Sequence, residues 1–294
     1  MRRLANGTQV NSLPAPAAAV GSPGYGTNGN PGAGQEASIF DADQYNIIQE
    51  EIAGVIEDVG IALDATGTNR AQLKQALLGR LINVQIFKAS ATFTPTTGAR
   101  RWEVEGVGGG GAGGGGVNQA VGSYQASPGG AAGTWGRRTI TGITGPVVVT
   151  VGLGGVGVAG AQGGSGGTTS FGPYLSMPGG TGASIGSAKS SGVALAGDTP
   201  SPADASGADI SFRGQAGGGS IISSGDGIRG GTGGSTPYGS GGVGRTSPTG
   251  GGTVFVQEAG KGYGAGGGGS YGDTQPSSPG ASGASGIIIV REYA

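Results

Sequence analysis

Two residue types are missing outright: the 294-residue chain has no cysteine and no histidine. Without cysteine there are no disulfides and no thiolate metal sites; without histidine the commonest general base and metal ligand are gone. Aromatics make up 5% and charged residues 11%, and the hydrophobic fraction of 35% falls below the ~45–50% usual for a soluble domain. An excess of one charge is lacking too. Sixteen Lys and Arg stand against seventeen Asp and Glu, with no long run of either sign, so nucleic acid is not an expected partner. No apolar run reaches the ~18 residues of a membrane span, and no apolar segment follows the basic start, so neither membrane insertion nor a secretion signal is expected. No cofactor, no metal site and no catalytic residue is expected.

What the chain has is glycine, 73 residues of it. Glycine loses the most backbone entropy on folding and brings no side chain to a core, so assembly into an oligomer is the expected route to stability. Residues 1–40, rich in Pro, Ala, Gly and Asn, read as an extended arm without helical or alternating period. Residues 41–88 read as a helical oligomerisation region. Asp41 with Gln44 has capping-box spacing, and Tyr45, Ile48, Ile52, Val55 and Val59 follow in steps of three or four, the seam of a short coiled coil, with Ile56 widening the stripe. A turn at Asp64–Thr68 leads to a second expected helix from Asn69, with Gln72 as its capping partner and Leu73, Leu77, Leu78 and Leu81 on one face. Two such short helices are marginal alone, which points to threefold self-association.

Residues 89–294 read as a glycine-rich β-domain. Ala91–Thr94 and Arg101–Val107 alternate as strands around a Thr96-Thr97-Gly98 turn, with Trp102 and Val104 on one face and Glu103 and Glu105 on the other. Further expected strands are 138–141, 146–151, 168–171, 253–256 and 287–291. Ile287–Val290 is apolar on both faces and so belongs inside a sheet, where the two ends of the glycine-rich stretch should meet. The great majority of the glycines lie between Gly106 and Gly286, yet runs such as Gly108–Gly111 and Gly113–Gly116 break the strict triplet of collagen. The fold class expected is mainly β, with glycine segments that are either polyglycine-II-like helices packed side by side or glycine-rich strands, behind a short N-terminal helical region.

Few motifs suggest chemistry. Gly152 to Gly157 matches the dinucleotide fingerprint, but the residues after it are too glycine-rich to form the helix whose N-terminus would hold a pyrophosphate. A glycosidase needs two carboxylates; Asp198, Asp204, Asp209, Asp226 and Asp273 are present, all among the Ser, Thr, Pro and Gly of turns, so a depolymerase is the weaker alternative. The stronger signal is a set of Tyr, Trp and Arg set singly among glycines: Tyr124, Trp135, Arg137, Arg138, Tyr174, Tyr238, Arg245, Tyr263 and Tyr271, with Asp273 beside the last. This is the composition of a binding surface, although each ring could instead fill a gap between glycine segments.

Arg3-Leu4-Ala5-Asn6-Gly7-Thr8, Leu13-Pro14-Ala15-Pro16-Ala17, Gly24-Tyr25, Gly29-Asn30-Pro31 and Asn46 with Gln49-Glu50-Glu51-Ile52 resemble the start of tail-fibre proteins of Mu-like and related bacteriophages. Phe93-Thr94-Pro95, Trp102 to Gly111, Val149 to Gly155, Thr169-Ser170-Phe171-Gly172 and Ile287–Val290 resemble their glycine-rich C-terminal domain. The resemblance implies a virion protein of the tail fibre or tail tip. It would be a homotrimer, attached by its N-terminus to baseplate or tail-tip proteins and adsorbing through its C-terminal domain to a bacterial polysaccharide, pilus or outer-membrane protein. The repetitive shaft of long fibres is missing here, which implies a short fibre or tip. A structural connector of the tail or a glycine-rich matrix protein is the other reading.

Overall fold

The computed structural model describes residues 2–18, 24–77, 81–120, 122–186, 188–190, 192–223, 227–247, 257–273 and 277–294, with the backbone alone at Ser247 and Asp273. Leu78, Asp226 and the expected strand at 253–256 lie outside the described residues. The chain forms two compact units, divided between Leu81 and Ile82.

The first unit holds α1 (Ala42–Asp58) and α2 (Gln72–Leu77). Asp41 caps α1 as its sequence implies, its carboxylate accepting from the Gln44 N–H at 2.9 Å. The face of α1 that the chain buries is not the coiled-coil seam but its neighbour, Gln49, Ala53 and Ile56. Tyr45, Ile48 and Val55 stay exposed, Ile52 and Val59 half-buried, and Leu73 and Leu77 on α2 exposed. The arm lies along the same helix: Arg3 bridges Glu50 and Glu57 at 2.8 and 2.9 Å, and the N–H groups of Leu4 and Ala17 donate to Gln49 and Asp43. The Gln72 side-chain amide spans the preceding loop, donating to Ala62 O and accepting from Asp64 N. The helical region also stops sooner than the expected boundary at 88, because 81–87 is a strand. Leu81 therefore opens a strand rather than extending a helical face.

The strands are β1 (Leu81–Phe87), β2 (Ala91–Phe93), β3 (Arg101–Val107), β4 (Tyr124–Ala126), β5 (Trp135–Thr141), β6 (Val147–Thr150), β7 (Thr169–Phe171), β8 (Leu175–Met177), β9 (Ala188–Lys189), β10 (Val193–Ala196), β11 (Ile210–Phe212), β12 (Ser220–Ser223), β13 (Gly227–Arg229), β14 (Thr246–Ser247), β15 (Tyr271–Asp273) and β16 (Ile287–Tyr293). A five-stranded sheet runs β1-β16-β3-β5-β11, and β2-β6-β7-β8 forms a second sheet. The two ends of the glycine-rich stretch do meet: β16 pairs antiparallel with β3 from Ile287↔Val107 to Tyr293↔Arg101. Between β2 and β3, Gly98 takes φ +89°, which lets the Thr96 turn close without a Cβ penalty. Trp102, Val104, Ile140, Ile288 and Val290 from the first sheet and Phe93, Val149, Phe171, Leu175 and Met177 from the second make one buried core.

Beyond this sandwich the strands run on into glycine. Segment 108–116 continues β3, and its N–H groups turn to three neighbours in rotation. Gly108, Gly111 and Gly114 donate to Thr134, Ala131 and Pro128; Gly109, Ala112 and Gly115 to Gly167, Gly164 and Ala161; Gly110, Gly113 and Gly116 to Ala284, Ala281 and Ser278, all at 2.8–3.0 Å. Its carbonyls accept from three other segments, through Gly155, Gly180 with Ala183, and Gly267 with Ser270. Three residues per turn with bonds only to neighbours is the polyglycine-II arrangement, so of the two alternatives for the glycine segments the helical one is formed. Segment 128–134 repeats the pattern, donating in rotation to 215–218, 264–267 and 178–181. Gly152 to Gly157 is one more such segment, with Gly155 N–H on Gly110 O at 2.8 Å, and no nucleotide-binding helix follows it.

The packing requires glycine because the neighbours stand where a Cβ would be. At Gly111 a Cβ would come under 3.0 Å from the Thr181 and Gly180 carbonyl oxygens, whereas at Gly145 it would meet nothing within 4 Å. Gly111→Ala is therefore expected to destabilise the glycine-rich unit by roughly 1–3 kcal/mol or more, and Gly145→Ala to stay within about 0.5 kcal/mol of the parent, in urea denaturation.

Candidate functional site

The lattice bonds sort the ten residues proposed for binding into two groups. Gly108 faces Thr134 beside the five-stranded sheet, and Gly114 faces Pro128 at the far end. Trp135, Arg137 and Arg138 on β5, Tyr174 between β7 and β8, and Tyr238 with Tyr263, whose N–H donates to Tyr238 O, lie at the sheet end. Tyr124 on β4, Tyr271 and Asp273 on β15, and Arg245, whose carbonyl accepts from Gly230, lie at the far end.

At the sheet end the outward side chains of β3, β5, β11 and β16 form one strip. Trp135 stacks on Phe212 with ring centroids 4.8 Å apart and planes 17° from parallel. Next to them runs a charge ladder: Arg137 to Glu103 at 2.8 Å, Glu103 to Arg291 at 3.2 Å and Arg291 to Glu105 at 2.9 Å. The Tyr238 hydroxyl adjoins the Trp135 indole and the Glu105 carboxylate; burial, reinforced by that carboxylate, raises its pKa above the ordinary value. Arg138 is turned to the other side, where its guanidinium donates to the Tyr174 carbonyl oxygen, and the Tyr174 ring packs 6.1 Å from that of Phe171 at the margin of the core. These two serve the fold.

At the far end Tyr271 is a correction to the sequence reading. Expected on an exposed tip, it is 4% exposed and packs with Ala126, Ile222 and Ile228, with Tyr124 against the same cluster. Glycine leaves holes, and these rings fill them. Arg245 pairs with Glu258. The outward groups there are others. In the sheet β10-β12-β13-β14, Leu195 faces Ile221 and Ile221 faces Arg229 across the ladder, and Val193 (67% exposed), Leu195 (73%) and Ile221 (43%) stand out while Ala194 and Ile222 turn inward. Sequence reading missed this patch; the apolar alternation in Gly192–Ala196 was its signal.

The carboxylates weighed for glycoside hydrolysis hold local structure. Asp204 forms a two-pronged pair with Arg213 at 2.7–2.8 Å, Asp209 accepts from Thr139 N at 2.7 Å and Asp198 from Gly219 N at 2.6 Å. Among the described residues no cluster of three or more acidic side chains could hold a metal ion, and no helix is long and apolar enough to cross a membrane.

One buried acid was not foreseen. Glu292, fully buried on the inner side of β16, accepts from Asn83 Nδ2, Gln85 Nε2, Thr96 N, Thr96 Oγ1 and Trp102 Nε1 at 2.8–3.1 Å. Burial pushes its pKa up, but the bonds from Thr96, Gln85 and Trp102 outweigh that and hold it below the usual glutamate value of 4.5. A carboxyl whose pKa is lower folded than unfolded stabilises the fold above the unfolded pKa, and that contribution disappears as pH falls through the folded one. The midpoint of thermal unfolding should drop as pH is lowered below about 4.5. Glu292→Gln should lose at least ~2 kcal/mol at pH 7 and show a flatter acid limb, measured by circular dichroism melts.

The glycine-rich domain family matches residues 87–293, from the last residue of β1 to the last of β16. No curated protein matches the chain.

Proposed function

We propose, from the premise that this chain belongs to the glycine-rich domain family, that it is a trimeric tail-fibre or tail-tip protein of a bacteriophage that adsorbs to the bacterial surface. The observation carrying this reading is the far-end patch of Val193, Leu195, Ile221 and Arg229, an apolar and cationic surface held by a rigid frame at the end opposite β1, where the chain comes into the unit. An exposed apolar patch held by a rigid scaffold is a usual form of recognition surface. The N-terminal arm attaches to the baseplate or tail tip, and the exposed α1 seam supports self-association.

The test uses fluorescently labelled full-length protein and a panel of bacterial strains. Retention on susceptible cells, reduced at least ~10-fold by Leu195→Asp with Ile221→Asp, is the expected outcome. Failure of the parent protein to bind any strain would favour a tail connector, and shortening of capsule or lipopolysaccharide on incubation would revive a depolymerase. For the helices, Ile48→Glu with Val55→Glu should shift the sedimenting species towards the 27.9 kDa monomer in analytical ultracentrifugation.

A further inference from the structure

The strand β1 is built inside out. Side chains alternate across a strand, and here the inner row is polar or aromatic: Asn83 and Gln85 hold the buried Glu292, and Phe87 packs 6.4 Å from Phe93 at the core margin. The outer row is Ile82, Val84 and Ile86, half-buried, 41% and 55% exposed. Among the described residues, β1 is also an edge strand of its sheet. Natural edges are blunted by charge, proline or cover, and Leu81–Phe87 contains neither a charge nor a proline. The alternation cannot be exchanged without losing both donors, Asn83 Nδ2 and Gln85 Nε2, that tie β1 to Glu292 and to the Thr94–Thr96 loop, so the apolar row is the side left to face outward.

We infer that this row is a contact with the β1 row of a second copy of the chain, an inference that rests on reading the protein as a self-associating fibre component. Two features favour a second copy over an unrelated partner. Equivalent rows that meet about a symmetry axis bring like groups together, so charges on such a face must be neutralised within each copy. On the same face, Arg137, Glu103, Arg291 and Glu105 are joined in one ladder and Arg101 lies 4.6 Å over the Tyr293 ring, which leaves little demand for charge from outside. The apolar row also begins five residues after α2, so it continues in sequence a region in which Tyr45, Ile48 and Val55 of the heptad-spaced positions are left exposed. The matched family span starts at Phe87, and so the row belongs to the segment in front of that span.

The absence of cysteine from the chain makes the test direct. Val84→Cys and Ile86→Cys, placed singly in the full-length protein and mildly oxidised, should give a disulfide-linked pair of chains on non-reducing gels. The yield should be about ten times that of Ile210→Cys, a 60% exposed position on the opposite edge strand of the same sheet. Cross-linking no stronger than at Ile210→Cys, in protein that sediments as an oligomer, would overturn the β1 contact and leave the reading as a fibre component standing. A parent protein that sediments as a monomer at micromolar concentration would overturn both. Circular dichroism of each cysteine variant confirms that the outward substitution leaves the fold intact.

Discussion

The backbone hydrogen bond between layers is the interaction on which the glycine-rich unit depends. In the sandwich, β3 pairs within its own sheet and side chains keep the second sheet about 10 Å away. Past Val107 nothing larger than the Ala112 methyl is left in the segment to hold the layers apart. Segment 108–116 then bonds both to the continuations of its own sheet partners, 128–134 and 278–284, and to the segments adjoining β6, β7 and β8 of the other sheet. The transition from strand to polyglycine helix is thus set by where the side chains stop. A net gain of about 1 kcal/mol per buried bond is modest, but nearly every residue of these segments contributes one, which offsets the high entropy cost of ordering glycine.

This arrangement separates support from surface. Inner glycines of the lattice such as Gly111 are closed to a Cβ, with a methyl admitted only at positions such as Ala112 and Ala131, while outward positions on its boundary recur every third residue, as at Leu153 and Val156. The chain reverses at the two ends of the lattice, and its larger side chains gather there. Some of them fill the gaps that glycine leaves, as Tyr271 and Tyr174 do; others, such as Leu195 and Phe212, face outward. Residue type alone does not divide the two sets, because a tyrosine next to glycines suits either place.

The legible parts of the sequence were those with strong local periodicity. The α1 cap at Asp41, the alternation in Arg101–Val107 and the apolar run at Ile287–Val290 each correspond to an observed element. Strand β1 reads as helix in the sequence because the spacing of Leu73, Leu77 and Leu81 masks the alternation of Asn83 and Gln85 with Val84 and Ile86. Gln85 and Asn83 point inward only because Glu292, over 200 positions later, lies between them and Trp102, and no local pattern carries that information. Residue type, the signal that marks the binding candidates, neither places a ring at one end of the lattice or the other nor reveals its burial.

The lattice also sets how stability responds to temperature. The heat-capacity increment of unfolding comes from apolar surface newly exposed to water, and newly exposed polar backbone subtracts from it. A sandwich core such as that around Trp102 and Phe171 contributes the usual positive increment, but segments such as 108–116 release mainly peptide groups on unfolding. The unit therefore has a shallow stability curve for its length, governed by enthalpy, with little of the weakening on cooling that proteins held together by hydrocarbon burial undergo.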